Sequence, residues 1–206
     1  IEKNKDLRLL GVGIAVSGLV DAEKNRIVFA PNLKWQDIDV NEKIMNATAY
    51  IENEAISSSI FESWNGICQG AKNFICINSK SGIGAGIFID GKVYRGTTGN
   101  AGEVGHITAD VNGPKCECGN YGCLELYSSA QRIAEKLNKE SIDEVITLAR
   151  QGNEAAIQAF KLSAAHLGVA ISGLVNTLNP EKIVLGKEFV KYAEFILDDI
   201  RESVDK

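Results

Sequence analysis

The chain has 206 residues and a net charge of −5, with 45% apolar and 24% charged residues. That composition is ordinary for a globular chain with room for one sizeable domain or two small lobes. There is no basic run of the kind that neutralises nucleic-acid phosphates, no apolar stretch near the roughly 18–20 residues of a membrane span, and no signal peptide, so these residues are read neither as a nucleic-acid surface nor as a membrane segment.

Taken in order, Leu7–Val16 reads as a strand, Asp21–Asn25 as a hairpin loop and Arg26–Ala30 as a second strand, which Pro31 and Asn32 interrupt. Val40–Thr48 reads as a helix leading into a strand at Ala49–Glu52. Ala55–Gln69 follows as a helix, with Ile56, Ile60, Trp64 and Ile67 recurring at spacings of three and four. Asn73–Ser79 is an apolar strand. Gly86–Ile89 and Val93–Gly96 form a hairpin around Asp90-Gly91, the dipeptide that suits a tight turn.

Residues 97–124 are loop-rich. Helices are expected at Ser129–Leu137, at Ser141–Gln151, and at Glu154–Leu178 with Ile157, Phe160, Leu167, Ile171 and Leu174 facing inward. Pro180 stops the last of these. Lys182–Leu185 is a buried strand, and Lys187–Val204 a closing helix. Strands in the first half and helix–strand–helix in the second imply an α/β fold with two lobes. The cleft between them should lie near residues 50–55 and 97–125. Because the chain opens on Ile1 just before a strand and stops within a helical pattern, it is expected to be a fragment.

Cys68 and Cys76 sit in apolar surroundings and read as inert buried thiols. The other three of the five cysteines lie within eight residues, in the pattern His106-x9-Cys116-x-Cys118-x4-Cys123. Zinc takes four such soft or borderline ligands at tetrahedral corners. Gly119 and Gly122 let the backbone curl so that three sulfurs converge. Plain buried thiols, or one disulfide with a thiol left over, are the alternatives. The odd cysteine count and the sparse apolar cover favour metal. Four protein ligands leave no open position, so the zinc would be structural.

Glu103 precedes His106 by three residues and Glu125 follows Cys123 by two, so metal ligation would hold both carboxylates in one rigid region. Asn53 and Glu54 lie at a strand-to-helix junction, a usual place for ligand contacts in α/β folds. Carboxylates and amides supply the paired hydrogen bonds that sugar hydroxyls require. The second ring nitrogen of a metal-bound His106 would be free to meet such a hydroxyl. His166 reads as a packing or surface residue. Ser81, Gly82, Gly84 and their neighbours follow a strand; they form either a phosphate cradle or a plain tight connection.

In their order, GVGIAVSGLVD, FAPNLKW, Asn53-Glu54-Ala55, SGIGAGIFIDGKVYRG, AGEVGH, CECGNYGCLE and LNPEKIVLG resemble the ROK family (repressor, open reading frame, kinase) from about Gly11 to Gly186. The resemblance implies an α/β, actin-like and ribonuclease-H-like two-lobed ATPase-type fold, truncated at both ends. Residues 1–50 would be the remainder of the N-terminal lobe. Residues 51–206 would form a C-terminal lobe, incomplete at its end, with the zinc loop at 97–125. The family's zinc ligands fall on His106, Cys116, Cys118 and Cys123. Its sugar contacts fall on Asn53, Glu103, His106 and Glu125, beside Glu54, with Asn32 and Gly18 as neighbours.

The sequence departs from the kinase pattern at three places. ROK kinases carry Asn-Asp, the Asp being the general base, where this chain has Asn53-Glu54. A base displaced by roughly an ångström can cost about a hundredfold in rate. The phosphate loop begins with Lys80 in place of Gly, and the double Gly after the last strand reads Gly186-Lys187. The N-terminal Asp-x-Gly-x-Thr hairpin is not in the sequence, which truncation would explain. Asn-Glu resembles the xylose-repressor branch. The resemblance therefore implies a cytoplasmic sugar-sensing effector domain of a repressor, with xylose or a related sugar as ligand, structural zinc, no ATP and no membrane partner. DNA would be reached only through an N-terminal domain outside the chain, and a homodimer or larger homo-oligomer is expected. The alternative is an ATP-dependent sugar kinase with Glu54 as base.

Overall fold

A computed structural model describes residues 9–44 and 47–205. The first sheet pairs β1 (Val12–Val16) with β5 (Ala49–Asn53) in parallel, Val16 opposite Asn53. Beside it, β2 (Leu19–Asp21), β3 (Arg26–Ala30) and β4 (Trp35–Asp39) form an antiparallel meander. Val16, Val20, Ile27, Ala30, Val40, Ala49 and Ile51 close one small core under these two sheets. β5 runs through the expected lobe boundary at residue 50, and the chain leaves the first sheet at Asn53.

The second half is built on β6 (Phe74–Ser79), β7 (Ile83–Ile89), β8 (Lys92–Val93) and β9 (Lys182–Lys187), in spatial order β8-β7-β6-β9. β6 and β9 are parallel, with Ser79 opposite Lys187, and the other pairs are antiparallel. β6 is buried throughout, as a strand covered on both faces must be. Alternation divides its side chains: Ile75 and Ile77 join the main core, while Phe74 and Cys76 join a smaller cluster with Cys68, Phe88 and Val184. The burial expected for Cys68 and Cys76 is therefore observed, and it pushes the Cys76 thiol up to about 11.

Helix α2 (Glu54–Asn65) covers the second face. α1 is the short turn Val40–Lys43. On the main-core side lie α3 (Glu125–Ser128), α4 (Ala130–Lys136), α5 (Ile142–Arg150), the long α6 (Glu154–Leu178), α7 (Glu188–Lys191) and α8 (Leu197–Val204). α6 is long and apolar enough, by length and composition, to cross a membrane, which corrects the expectation of no such stretch. Its Phe160, Ala164, Leu167 and Ile171 are nevertheless buried in the core with α4, α5 and α8 residues, the environment of a core helix.

Several expected elements are redrawn. The strand expected from Leu7 begins at Val12; Leu7 and Arg8 lie outside the described residues, as do Met45 and Asn46 of the helix expected over Val40–Thr48, of which α1 is the described helical part. β2 and β4 were not expected, because β4 is the polar segment WQDID, which is held by its register against β3. α2 stops at Asn65, short of the expected Gln69, and its buried face is Ala55, Ile56 and Ser59; Trp64 and Ile67 of the spaced apolar set are exposed. Small residues face inward because the helix lies against β7 glycines: a Cβ on Gly86 would fall 2.1 Å from Ser59 Oγ. The closing helix breaks between α7 and α8, where Tyr192 and Phe195 both stack on Phe160 with ring centroids 5.0 Å away. Phe160→Ala is expected to lower the unfolding free energy by about 3–5 kcal/mol, checked by urea titration against the wild-type chain.

Candidate functional site

A cleft of about 850 Å³ opens where β5, β6 and β9 end. The carboxyl ends of parallel strands are where α/β sheets usually take ligands. Gly18, Asn32, Asn53, Glu54, Glu103, His106 and Glu125 all line it, together with Ser81, Gly82 and Gly84.

The first wall is the β5–α2 junction. Asn53 caps α2: its Oδ1 accepts from the backbone N–H groups of Ala55 and Ile56 at 2.8 and 3.3 Å. Its Nδ2 donates to the Gly18 carbonyl at 2.9 Å. The acceptor capacity of Asn53 is thus filled, and one amide N–H remains for a ligand. Glu52 accepts from the Asn53 backbone N–H through Oε1 and pairs with Arg95 through Oε2. Glu54 Oε1 meets Lys187 Nζ at 2.5 Å. Arg95 follows β8 and Lys187 ends β9, so the two ion pairs tie the junction to the second sheet.

The second wall is the cysteine loop. Cys116 N–H donates to the Asn120 carbonyl at 2.7 Å and Gly119 N–H to the Cys116 carbonyl at 3.0 Å, folding the knuckle. Asn120 Nδ2 reaches the His106 carbonyl at 3.3 Å, which brings the histidine to the thiols. The ligand atoms of His106, Cys116, Cys118 and Cys123 all lie within 4.8 Å of one another. Cys118 and Cys123 sulfurs are 3.7 Å apart, and Cys116 Sγ is 3.8 Å from His106 Nδ1. These edges match a tetrahedron of metal–sulfur bonds near 2.3 Å, whose edge is about 3.8 Å, and they are far too long for the roughly 2.05 Å of a disulfide. The donor set fits a metal ion. Burial pushes the Cys123 thiol up to about 12 and raises that of Cys116, while the Asn120 backbone N–H lowers that of Cys118. A coordinating cation overrides this order, since a ligated thiol is deprotonated.

His106 joins the two functions. Its Nδ1 faces Cys116 and lies 3.9 Å from Glu125 Oε1, while its Nε2 lies 4.0 Å from Glu103 Oε2. Neither carboxylate–imidazole distance is a hydrogen bond; Glu125 Oε1 accepts from the Cys116 thiol at 3.8 Å, which leaves Glu125 Oε2 and the Glu103 carboxylate as acceptors in the cleft wall. Burial raises the pKa of Glu103, and His106 partly offsets the rise. Glu125 opens α3, and Gly82 approaches it so closely that a Cβ there would fall 2.6 Å from Glu125 Oε2.

The segment read either as a phosphate cradle or as a plain tight connection is a short turn followed directly by β7. Only Lys80–Gly82 is a turn, closed by Lys80 N–H to the Gly82 carbonyl at 3.0 Å; Gly84 and Gly86 belong to β7. Asn32 Nδ2 donates to Ser81 Oγ at 3.3 Å across the cleft. Asn78, Arg132, Glu52 and the Glu54–Lys187 contact also line or shape the site and were not expected. Position 187 had signalled itself as a departure from glycine, but Glu52 and Arg95 are 43 residues apart and nothing in the pattern joins them. His166 lies away from the cleft lining and stacks on Tyr127 at 4.0 Å.

Sheets from both halves of the chain face a polar cleft in an actin-like ATPase-type fold, and one wall carries a His/Cys cluster whose donor set fits a metal ion. Residues 2–206 match the profile of the ROK family, and the chain belongs to that family. It is 36% identical over 203 residues to the xylose repressor of Bacillus subtilis (strain 168), covering 95% of this chain and 53% of the repressor. The chain thus spans about half the length of that relative. A crystal structure of a ROK family transcriptional regulator, homologous to the E. coli MLC protein, superposes with TM-score 0.87 at 28% identity, covering 96% of this chain and 55% of that one. A ROK family glucokinase from Streptomyces griseus, in complex with glucose and AMPPNP, gives TM-score 0.84 at 28% identity over 97% of this chain and 72% of that one.

Asn53→Asp tests the double role of Asn53. Aspartate caps helices as well as asparagine, but it cannot donate to Gly18. The substitution is expected to destabilise the protein by about 1–3 kcal/mol, measured by denaturant unfolding at neutral pH. A stability equal to wild type would show that the Gly18 bond contributes nothing.

Proposed function

We propose that this chain is the sugar-sensing part of a ROK transcriptional repressor, with xylose or a related sugar as its effector. The observation that carries the reading is Glu54. At the position of the kinase base stands a carboxylate whose Oε1 is taken by Lys187. It can accept a sugar hydroxyl's hydrogen bond, but it would have to give up its ammonium partner to take the proton. Glu103, Glu125, His106 and the remaining N–H of Asn53 offer the acceptors and donors that a neutral polyol needs. Asn32 and Gly18 complete that wall. The similarity to a xylose repressor supports the same reading.

Zinc is the metal that the donor set favours, held by His106, Cys116, Cys118 and Cys123. Its contribution would be structural: it would fix the loop that carries Glu103, His106 and Glu125. The sugar would bias one arrangement of the two sheets about the cleft, and DNA affinity would follow through a DNA-reading domain outside these residues. A cytoplasmic homo-oligomer suits that role. The competing reading, supported by the fold shared with the glucokinase, is an ATP-dependent sugar kinase with Glu54 as base.

Metal analysis should find stoichiometric zinc in the purified protein, and Cys116→Ser should lose it and lower the unfolding midpoint. Calorimetry with D-xylose, D-glucose and N-acetylglucosamine, each without nucleotide, should detect binding of at least one. Glu103→Ala should weaken that binding about 10- to 100-fold. Phosphorylation of any of these sugars with ATP at an ordinary enzymatic rate would replace the sensor reading with the kinase one.

A further inference from the structure

Lys187 is in a conformation that lysine rarely adopts, φ 52° and ψ −123°, in the positive-φ region that favours glycine. Such a conformation persists only where its surroundings over-determine it, and it concentrates at ligand sites. Here the surroundings are explicit. Lys187 ends β9, is held in register opposite Ser79, lines the cleft, and sends Nζ to Glu54 Oε1. Both side chains keep part of their surface open, 29% for Lys187 and 36% for Glu54.

We propose that Lys187 is a positioning and specificity-determining residue of the sugar pocket, acting with Glu54 as one reading unit; this rests on the sensor function proposed above. With Oε1 pinned, the Glu54 carboxylate loses its freedom to rotate and presents Oε2 in a fixed direction. The ammonium spends one of its three N–H bonds on Glu54 and keeps two. The pair therefore offers one acceptor and one donor side by side. That pattern matches two adjacent hydroxyls of a sugar ring, one donating to Glu54 and the other accepting from Lys187. The ligand class it selects is an uncharged polyol with a free vicinal diol. The ion pair also balances the carboxylate, so a neutral ligand is not asked to face an uncompensated charge.

A sugar-reading role and a merely structural role for Lys187 predict different outcomes for Lys187→Gly. Glycine relieves the backbone conformation, so the unfolding midpoint should stay level or rise. If the pair reads the sugar, affinity for D-xylose should nevertheless fall at least about tenfold in calorimetry, the loss of one good hydrogen-bonding contact. Lys187→Arg, which keeps a donor for Glu54, should retain most of the affinity. Glu54→Gln should lose a similar factor, and the Lys187→Gly/Glu54→Gln double variant should lose little more than either single one, as coupled residues do. Where wild-type protein binds D-xylose or D-glucose and Lys187→Gly binds it within twofold, the inference is overturned and the sensor function stands. Where the wild-type protein binds neither, the sensor function itself fails for these sugars, and the inference with it.

Discussion

Three consecutive residues at the end of β5 hold the cleft together, each anchored to a different part of the chain. Glu52 reaches Arg95 beyond β8, Asn53 reaches the Gly18 carbonyl after β1, and Glu54 reaches Lys187 at the end of β9. Their alternation comes from the strand: side chains at 52 and 53 leave β5 on opposite faces, and the helix that begins at 54 redirects the third. Because Asn53 is also the cap of α2, the helix N-terminus, the β1–β2 turn and the end of β5 share one fixed point. A change there would be felt on every side of the cleft.

The opposite wall is organised differently. Residues 97–124 have little regular structure and contribute few side chains to the main core, so hydrophobic burial alone gives them little support. The loop is organised by the Cys116–Asn120 turn, by bridges between Thr108 and Cys123 and between Lys115 and Tyr121, and by the convergence of four ligand atoms. A metal in that cluster couples binding to folding. It would transmit order to Glu103 and Glu125, whose oxygens lie about 4 Å from the two nitrogens of one imidazole. One wall thus rests on hydrogen-bonded junction chemistry, the other on short turns and bridges around a converged His/Cys set.

What could be read from the sequence follows the range of each interaction. The His106-x9-Cys116-x-Cys118-x4-Cys123 spacing is local, and the structure brings those four side chains together. The long periodicity of α6 and the apolar run of β6 were equally plain, because burial on one stripe or on both faces writes itself into consecutive residues. β4 was hidden because its residues are polar and only pairing with β3 makes them a strand. The buried face of α2 was not legible from spacing alone, because Trp64 and Ile67 carry the larger apolar signal, yet glycine-lined β7 admits Ala55 and Ser59. The break between α7 and α8 depends on Phe160, about thirty residues earlier, accepting two aromatic rings. Lys187 was visible as an oddity, but its partnership with Glu54 joins positions 133 apart.

On the function proposed above, that partnership bears on how one fold can serve a kinase and a sensor. Fold and function are separable, and function resides in the charges placed on the scaffold. The cleft is lined by five glutamates, Glu52, Glu54, Glu103, Glu117 and Glu125, and by three cations, Lys80, Arg132 and Lys187. Arg132 is engaged by Glu117 and Glu135, and Lys187 by Glu54. A triphosphate entering this space would meet a net negative lining whose cations are largely committed; a neutral polyol would meet the same groups as hydrogen-bond partners. A backbone conformation of the kind found at Lys187 costs of order 1–3 kcal/mol, and an exposed ion pair returns at most about 1 kcal/mol. The Glu54 contact therefore does not offset that strain by itself. A lysine that brings little net stability to the position it occupies fits the role proposed for it, a contact to the ligand of the cleft that it lines.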